Sequence, residues 1–338
     1  PTGSVSLGAG LSSADGLGLQ FGFKQDNAFG SGRSLGVELN TSKLNRTLVF
    51  NTTDPYFTED GISRTIDLSM RTSKPYADTD SYSIETAGAA LRFGVPFTEY
   101  DTVFMGAGVD RTTIVPGTLF PSIYQSFADE YGYSAIAVPL TLGWGRDSRD
   151  SALVPTSGEV TRASAEWSVA GALRYARVTA QHQYYYPITK KITAALNSEI
   201  NMGMGTDGQS YPVFKNFYSG GLGSVRGFEP GSLTTKSQRQ NETSTTGGTK
   251  KITFNAEVLS PLPGGGNDRS LRVYAFLDAG GIYGSDEPLV FGDMRVSTGI
   301  GISWISPVGP LRLAYAKPIS KFRNDKVQAL QFQIGTSF

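Results

Sequence analysis

The sequence predicts an all-β protein, a transmembrane antiparallel β-barrel of about sixteen strands. Three observations indicate this fold class. Apolar residues alternate with small or polar residues along most of the chain, in segments of roughly 9–11 residues, the length of a membrane-spanning strand. Short turns alternate with longer loops between these segments. Aromatic residues gather at segment ends, for example at 56–57, 97–100 and 184–186, as expected where strands meet the membrane interface.

The alternation defines the predicted strands in chain order. In the first segment, Val5, Leu7, Ala9 and Leu11 share one face, and serine and glycine occupy the other. The predicted strands lie near 3–12, 17–26, 33–42, 46–53, 62–73, 84–95, 102–113, 134–147, 158–169, 172–186, 190–203, 250–260, 270–282, 293–305, 311–319 and 326–338. An even number of strands places both ends of the chain on one side of the membrane. No internal boundary is visible, so residues 1–338 are predicted to form one domain.

A water-soluble β-sandwich or propeller also alternates and is the competing fold. Its second face would build another apolar core, whereas the second face here is small and polar. The connections also differ in length in the way expected of a periplasmic and an extracellular rim. Short turns are predicted at 27–32, 96–101 and 306–310, and long loops at 74–83, 114–133 and 204–249. The membrane barrel is therefore the preferred prediction.

Composition excludes several functions. The 30 basic and 30 acidic residues balance, so the chain lacks the basic field that nucleic-acid binding requires. No cysteine is present, which excludes thiolate metal sites, disulfides and cysteine nucleophiles. No apolar run approaches about 18 residues, so no transmembrane helix is predicted. The chain starts at Pro1 without a signal peptide and is expected to be a fragment of a longer protein.

The long interval 204–249 contains the most unusual stretch, FYSGGLGSVRGFEPGS at 217–232. Aromatic side chains and five glycines surround a single cation, Arg226, a composition that predicts a hairpin folded back into the barrel lumen. A desolvated arginine needs anionic partners. Glu257 and Asp278 lie on the inward faces of the two strands that follow and are the candidates. The competing interpretation, that both acids only line a wet lumen, is left open by the spacing.

The motif GSVRGF at 223–228 resembles the loop motif of the polypeptide-transport-associated (POTRA) outer-membrane barrels. Further segments narrow the match to the members of that family that assemble outer-membrane proteins: KQDNAFGSG (24–32), DPYFTEDG (54–61), NFYSGGLGSVRGF (216–228), FLDAGG (276–281) and SPVGPLRLAYAKPISK (306–321). The resemblance implies a hairpin lock, in which the loop arginine contacts acids of the barrel wall. The residues carried over are Val225, Arg226, Gly227, Phe228, Glu257 and Asp278. The chain departs from the family in its shorter outer loops and in its final Phe338, where tryptophan is common.

The first and last strands are the second candidate site, a lateral seam at Gly8, Gly10, Gly335 and Phe338. The last strand, VQALQFQIGTSF, ends on an aromatic residue like the C-terminal signal of outer-membrane proteins, and Gly335 interrupts it. Glycine weakens a strand, so closure here is expected to be weak and an opened edge could accept an incoming strand. Ordinary barrel closure is the alternative, and the residues alone favour it.

No catalytic, cofactor-binding or metal-binding residue is predicted, and the protein is not expected to be an enzyme. His182, the only histidine, lies in QHQYYYP beside a tyrosine cluster and is expected to be a lumen or interface residue. No sequence signal supports an outer-membrane phospholipase with a lumen serine. The charged cluster WGRDSRD (144–150) is expected at a short-turn rim, solvated or docked to another domain.

The resemblance implies a factor that folds and inserts β-barrel proteins into the outer membrane of a Gram-negative bacterium without a cofactor. Its expected partners are unfolded outer-membrane β-barrel clients, outer-membrane lipids and, through periplasmic POTRA domains outside this chain, lipoproteins of an assembly complex. Nucleic acid is not an expected partner. Two alternatives are a protein-translocating barrel of the TamA or two-partner secretion type and a passive porin.

Overall fold

The computed structural model describes residues 3–74, 82–118, 120–241, 245–262, 270–306 and 309–335. Within these ranges sixteen antiparallel strands close into one barrel, and each strand pairs with its neighbours in chain order. The predicted fold class is therefore confirmed. The barrel strands are β1 (Gly3–Ser12), β2 (Gly16–Gln25), β3 (Ser34–Thr41), β4 (Asn45–Asp54), β5 (Ser63–Ser73), β6 (Ser83–Pro96), β7 (Asp101–Val115), β8 (Ser134–Asp147), β9 (Gly158–Gly171), β10 (Tyr175–Pro187), β11 (Thr193–Gly205), β13 (Lys250–Pro261), β14 (Leu271–Tyr283), β15 (Arg295–Ser306), β16 (Gly309–Ser320) and β18 (Leu330–Gly335).

Two further strands, β12 (Gly227–Phe228) and β17 (Val327–Gln328), pair with each other in a separate two-stranded sheet. The prediction of one continuous last strand over 326–338 is thus wrong at its beginning. Val327 and Gln328 pair with the interval 206–249 instead of with a barrel neighbour, and the barrel strand begins only at Leu330. Residues 336–338 lie outside the described residues.

The strands run between two rims. The short-turn rim contains the start of β1 and the connections at 97–100 and 148–157, and the long-loop rim contains the connections at 116–133 and 206–249. At the long-loop rim the predicted loop 114–133 contains a helix that the alternation did not indicate, α1 (Ser122–Tyr131). A shorter helix, α2 (Lys236–Gln240), and 3-10 helices at Ala28–Gly30, Val213–Lys215 and Phe291–Asp293 complete the described elements.

Helix α1 covers part of the lumen mouth with aromatic side chains. Tyr124 and Phe127 are buried on its inner face, and they pack in one cluster with Tyr175 and Tyr211. Burial raises the pKa of Tyr211 to about 12, so its phenol stays neutral and donates to the backbone carbonyl of Lys215 at 3.0 Å. The interior of the barrel is therefore packed at this rim.

The outer surface of the wall is apolar. Leu7 and Leu17, for example, expose 81% and 65% of their surface and lie on the outward faces of β1 and β2. Polar and charged side chains face inward, as in β14, where Arg272, Tyr274 and Asp278 are all buried while Leu277 is exposed. This apolar-out, polar-in alternation is the pattern of a strand between lipid and a filled lumen.

None of the described helices has both the length and the apolar character needed to cross a bilayer.

Candidate functional site

The stretch 217–232, here called the lumen hairpin, folds against the inner wall of the barrel. Val225, Arg226 and Phe228 are each at most 1% exposed. An apolar cluster anchors the hairpin and its exit to the wall: Phe217, Val225, Phe228, Leu233 and Ile282. At Gly227 the chain has φ +89°, and an added Cβ would lie 3.1 Å from the Cβ of Ala316. Glycine is needed here because the backbone conformation is left-handed and the wall is close.

Asp278 is the principal partner of Arg226. Its Oδ2 accepts from Nε of Arg226 at 2.7 Å and from the backbone N at 3.0 Å, and its Oδ1 accepts from Nη2 at 2.6 Å. Asn255, opposite Asp278 in the β13–β14 register, donates through Nδ2 to Asp278 Oδ1 at 2.8 Å and to the backbone carbonyl of Ser224 at 2.6 Å. The buried carboxylate thus accepts four hydrogen bonds, three of them from one hairpin residue.

Glu257 is the second acid in contact with Arg226. Its Oε1 accepts from Nη1 of Arg226 at 2.5 Å and from Nη2 of Arg312, on β16, at 2.6 Å. Arg226, Asp278, Glu257 and Arg312 together carry no net charge. Such balance matters because isolated buried charges cost several kcal/mol. Arg312 was not among the predicted site residues, although its place on the inward face of β16 follows from the alternation.

Aromatic side chains of β14 complete the surroundings of the guanidinium. The Cζ of Arg226 lies 3.6 Å from the ring centroid of Phe276 and 5.6 Å from that of Tyr274. Both rings share the inward face with Asp278, two and four residues along the strand, because side chains of a strand alternate. One wall strand therefore supplies both the anion and the stacking surface for Arg226.

The lumen hairpin is also joined to the last strand. Beside the β12–β17 pairing, the fully buried Gln331 of β18 accepts from the backbone N of Gly227 at 3.2 Å and donates to the backbone carbonyl of Phe228 at 2.7 Å. The backbone N of Glu229 donates to the carbonyl of Lys326 at 3.0 Å. Gln331 was not among the predicted site residues. Its inward face was predictable, but its hairpin partner was not.

A second buried ion pair lies near the hairpin exit. Arg295 of β15 donates to Asp325 through Nε at 3.0 Å and through Nη2 at 2.8 Å, and each side chain is 1% exposed. The same Nη2 donates to Thr234 at 3.2 Å. This pair fixes the connection that precedes β17. It was not predicted, because Asp325 lies between the predicted segments 311–319 and 326–338 and so belongs to no alternating face.

The predicted seam is the contact between β1 and β18. In the described residues it consists of three residue pairs, Gly10–Gly335, Leu11–Ile334 and Ser12–Gln333. By contrast, β1 and β2 pair from Gly3 to Ser12, and Gly8 lies opposite Gln20 in that register. Gly335 has φ +81°, and an added Cβ would lie 2.3 Å from the carbonyl oxygen of Ala9. Phe338, the fourth predicted seam residue, lies outside the described residues.

The remaining sequence features form wall contacts. His182 Nδ1 lies 2.8 Å from the hydroxyl of Thr161 on the neighbouring strand. In WGRDSRD, Arg146 pairs with Asp101 and Glu159, each at 2.8 Å, and the indole of Trp144 donates to Asp101 at 3.1 Å. No cluster of three potential metal ligands occurs among the residues that the structure describes.

The chain is similar to known outer-membrane barrels. The family model of the Omp85 superfamily domain matches residues 27–338. The chain is 36% identical, over its whole length, to the outer membrane protein assembly factor BamA of Neisseria meningitidis serogroup B, and it spans 47% of that protein. It is therefore about half as long as this relative.

Two solved structures resemble the barrel. BamA from Haemophilus ducreyi lacking POTRA domains 1–3 superposes with a TM-score of 0.89 and 26% identity, over 100% of this chain and 70% of the other. CdiB from Acinetobacter baumannii has a TM-score of 0.61 and 13% identity, over 99% of this chain and 59% of the other, and shares the fold.

Proposed function

Because the chain belongs to the Omp85 superfamily, we propose that it is the membrane domain of an assembly factor that folds and inserts β-barrel proteins into the outer membrane. The chain is a multi-pass barrel of the Gram-negative outer membrane. The similar Neisseria protein is named as an assembly factor, and this chain spans 47% of it. The proposal therefore concerns the part that the barrel plays in a longer protein.

The observation that carries the proposal is the connection between the lumen hairpin and the short seam. Three residue pairs join β1 to β18 in the described residues, and Gln331 of β18 binds the backbone of the hairpin. In lipid, unpaired backbone groups are costly, so a strand edge exposed by parting of this seam would strongly favour a new partner. A client strand can satisfy those groups by adding to the edge of β1.

The proposed mechanism has three steps. The shortened last strand and the interfacial aromatic residues weaken the wall and the adjoining bilayer. The first and last strands then part, among the described residues over three pairs, while β1 remains held by its long register with β2. Finally, a client strand pairs with the exposed edge. The steps exchange hydrogen bonds and need neither bond cleavage nor a cofactor.

The hairpin lock would keep the remaining wall in shape during these steps. Arg226 binds β14 through Asp278 and β13 through Glu257, so both strands stay fixed to the hairpin when β18 moves. We propose that Val225 and Phe228 are apolar anchors and that Gly227 allows the hairpin backbone to approach β16 closely.

The expected partners are unfolded barrel clients, outer-membrane lipids and, through POTRA domains outside this chain, assembly lipoproteins.

Two other functions compete. A translocating barrel of the TamA or two-partner secretion type would share the hairpin motif. A passive porin is disfavoured because the hairpin and its buried cluster occupy lumen space. Single-channel recording separates the porin from the other two functions, since an occupied lumen conducts little.

The test of the proposed function is reconstitution of the full-length protein in lipid vesicles with a urea-unfolded β-barrel client. Folding of the client, followed as a protease-resistant fraction, is expected to be faster than in empty vesicles. Equal rates in both kinds of vesicle would contradict the proposal. Transport of a polypeptide across the vesicle membrane, without faster folding of the barrel client, would favour the translocating barrel.

A further inference from the structure

A cavity of about 420 Å³ lies in the lumen toward the short-turn rim. The tip of the lumen hairpin, the connection 148–157, the inner faces of β10 to β16 and the end of β18 enclose it. Its volume is in the range of small-molecule sites, about 300–1,000 Å³. The charged side chains of its lining are Arg149, Arg226, Glu257, Arg272 and Arg312.

One charged side chain of this cavity lacks a direct ion-pair partner among the described residues. Arg226 and Arg312 are compensated by Asp278 and Glu257, and Arg149 pairs with Asp147 at 2.7 Å. Arg272 has no carboxylate of the described residues within ion-pair distance. It is 9% exposed, and its Nη1 donates to the backbone carbonyl of Pro155 at 3.3 Å. Glu257 and Asp150 act on Arg272 only from beyond ion-pair distance, so its guanidinium has no anion of the described residues in contact.

Arg312 provides a second, independent indication. Its Nη2 donates to Glu257, but its Nε is buried and has no hydrogen-bond partner among the described residues. Buried donors of charged groups are rarely left unsatisfied. The cavity thus contains one guanidinium without an anion in contact, that of Arg272, and a second guanidinium with an unused donor, that of Arg312.

We propose that this cavity binds a carboxylate through Arg272 and Arg312. A planar guanidinium matches the geometry of a carboxylate, and the bound anion would be the direct partner that Arg272 lacks. Neutral amides of Gln181, Gln183 and Asn197 also line the cavity and can bond to the polar groups that accompany the carboxylate. Neither Arg272 nor Arg312 belongs to the predicted hairpin lock.

The position of the cavity favours the terminal carboxylate of an extended polypeptide strand, an inference that rests on the proposed function. Gln333 and Gly335 of β18 line the cavity, so it adjoins the inner face of the seam. A strand added antiparallel to β1 would run toward the short-turn rim, where the cavity lies, and would end there. A free small carboxylate is the other source of the same chemistry.

Binding of a peptide to the full-length protein in detergent, followed by calorimetry, tests the inference. The probe is the peptide VQALQFQIGTSF, the sequence of residues 327–338, as the free acid and as the C-terminal amide. The free acid is expected to bind about tenfold more tightly, since hydrogen bonds to charged groups are the stronger ones. R272Q, which keeps a donor for Pro155, is expected to remove this preference. The matched control is R92Q, because Arg92 lies on the inner wall and pairs with Asp67.

Each outcome decides the inference. Equal affinity of the two peptides for the wild-type protein, or an undiminished preference in R272Q, would overturn it. Acetate is titrated in parallel: an acetate affinity lost in R272Q, without any preference between the peptides, would assign the site to a free carboxylate and overturn the strand-end assignment. Client folding in vesicles is measured separately, so failure of the proposed function would not be mistaken for failure of the site.

Discussion

Arg226 of the lumen hairpin binds Asp278 of β14 with three hydrogen bonds, from its backbone N, Nε and Nη2, at 3.0, 2.7 and 2.6 Å. Because the backbone of the hairpin participates along with the guanidinium, the contact fixes the path of the chain as well as one side chain. The residues are 1% and 0% exposed. Removing Arg226 therefore leaves Asp278 as a buried charge without a cation in contact.

The first prediction concerns this pair. R226A is expected to lower the free energy of unfolding by about 3–5 kcal/mol, the cost of breaking a buried ion pair from one side. R226K is expected to recover only part of this stability, because an ammonium cannot form the bidentate contact. Urea unfolding in lipid vesicles measures both variants.

The control for this prediction is R92A. The Arg92 side chain pairs with Asp67 but is 54% exposed, so its loss is expected to cost no more than about 1 kcal/mol. Equal losses of unfolding free energy in R226A and R92A would show that burial does not raise the cost of removing the arginine. Unchanged stability together with unchanged client assembly in R226A would remove the hairpin lock from the mechanism.

The second prediction concerns the connection between hairpin and seam strand. Q331A leaves the backbone N of Gly227 and the carbonyl of Phe228 without their side-chain partner, at about 1–3 kcal/mol for each buried group. Since Arg226 and Gln331 position adjacent residues of one hairpin, the double variant R226A/Q331A is expected to be non-additive by more than about 0.5 kcal/mol. The pair R92A/Q331A should be additive. If the losses of unfolding free energy were additive in R226A/Q331A as well as in R92A/Q331A, the contacts of Arg226 and Gln331 would act independently.

The third prediction concerns opening of the seam. Leu11 and Ile334 lie opposite each other in the β1–β18 register, a spacing that a disulfide can bridge. The chain has no native cysteine, so L11C/I334C contains a single possible pair. The oxidised form is expected to lose client folding in vesicles, and reduction is expected to restore it.

A disulfide across a long register is the control for the seam. Ala89 and Val109 are partners within the β6–β7 register, which extends from Ser83 to Val115. A89C/V109C is expected to keep its folding activity in both redox states. Full activity of oxidised L11C/I334C would exclude parting of β1 and β18 from the mechanism.

The fourth prediction concerns Gly335. At φ +81°, with the Ala9 carbonyl oxygen 2.3 Å from an added Cβ, G335A is expected to strain the seam by about 1–3 kcal/mol. Oxidation of L11C/I334C should then become slower, because the two strands spend less time in register. G3A is the matched change in β1, where the nearest atom to an added Cβ is 3.9 Å away, and it should leave the rate unchanged. Equal oxidation rates in both backgrounds would contradict a strained seam.

The sequence alone determined the wall of this barrel. Alternation with a period of two is a local property, and a strand's side chains must follow it, so strand positions and inward faces could be read residue by residue. Glu257 and Asp278 were assigned to the inward face on this basis. The single cation among the glycines and aromatic residues of 217–232 likewise identified Arg226 as a residue in need of partners.

Only the tertiary structure decided which inward side chains meet. Contacts across the lumen depend on barrel closure and on the path of the hairpin, and neither leaves a periodic signal. The pairing of Val327 and Gln328 with the hairpin, which shortens the last barrel strand, is such a contact. So are the bonds of Gln331 to the hairpin backbone and the sharing of Glu257 between Arg226 and Arg312. Alternation gives the direction of a side chain, whereas the folded lumen determines its partner.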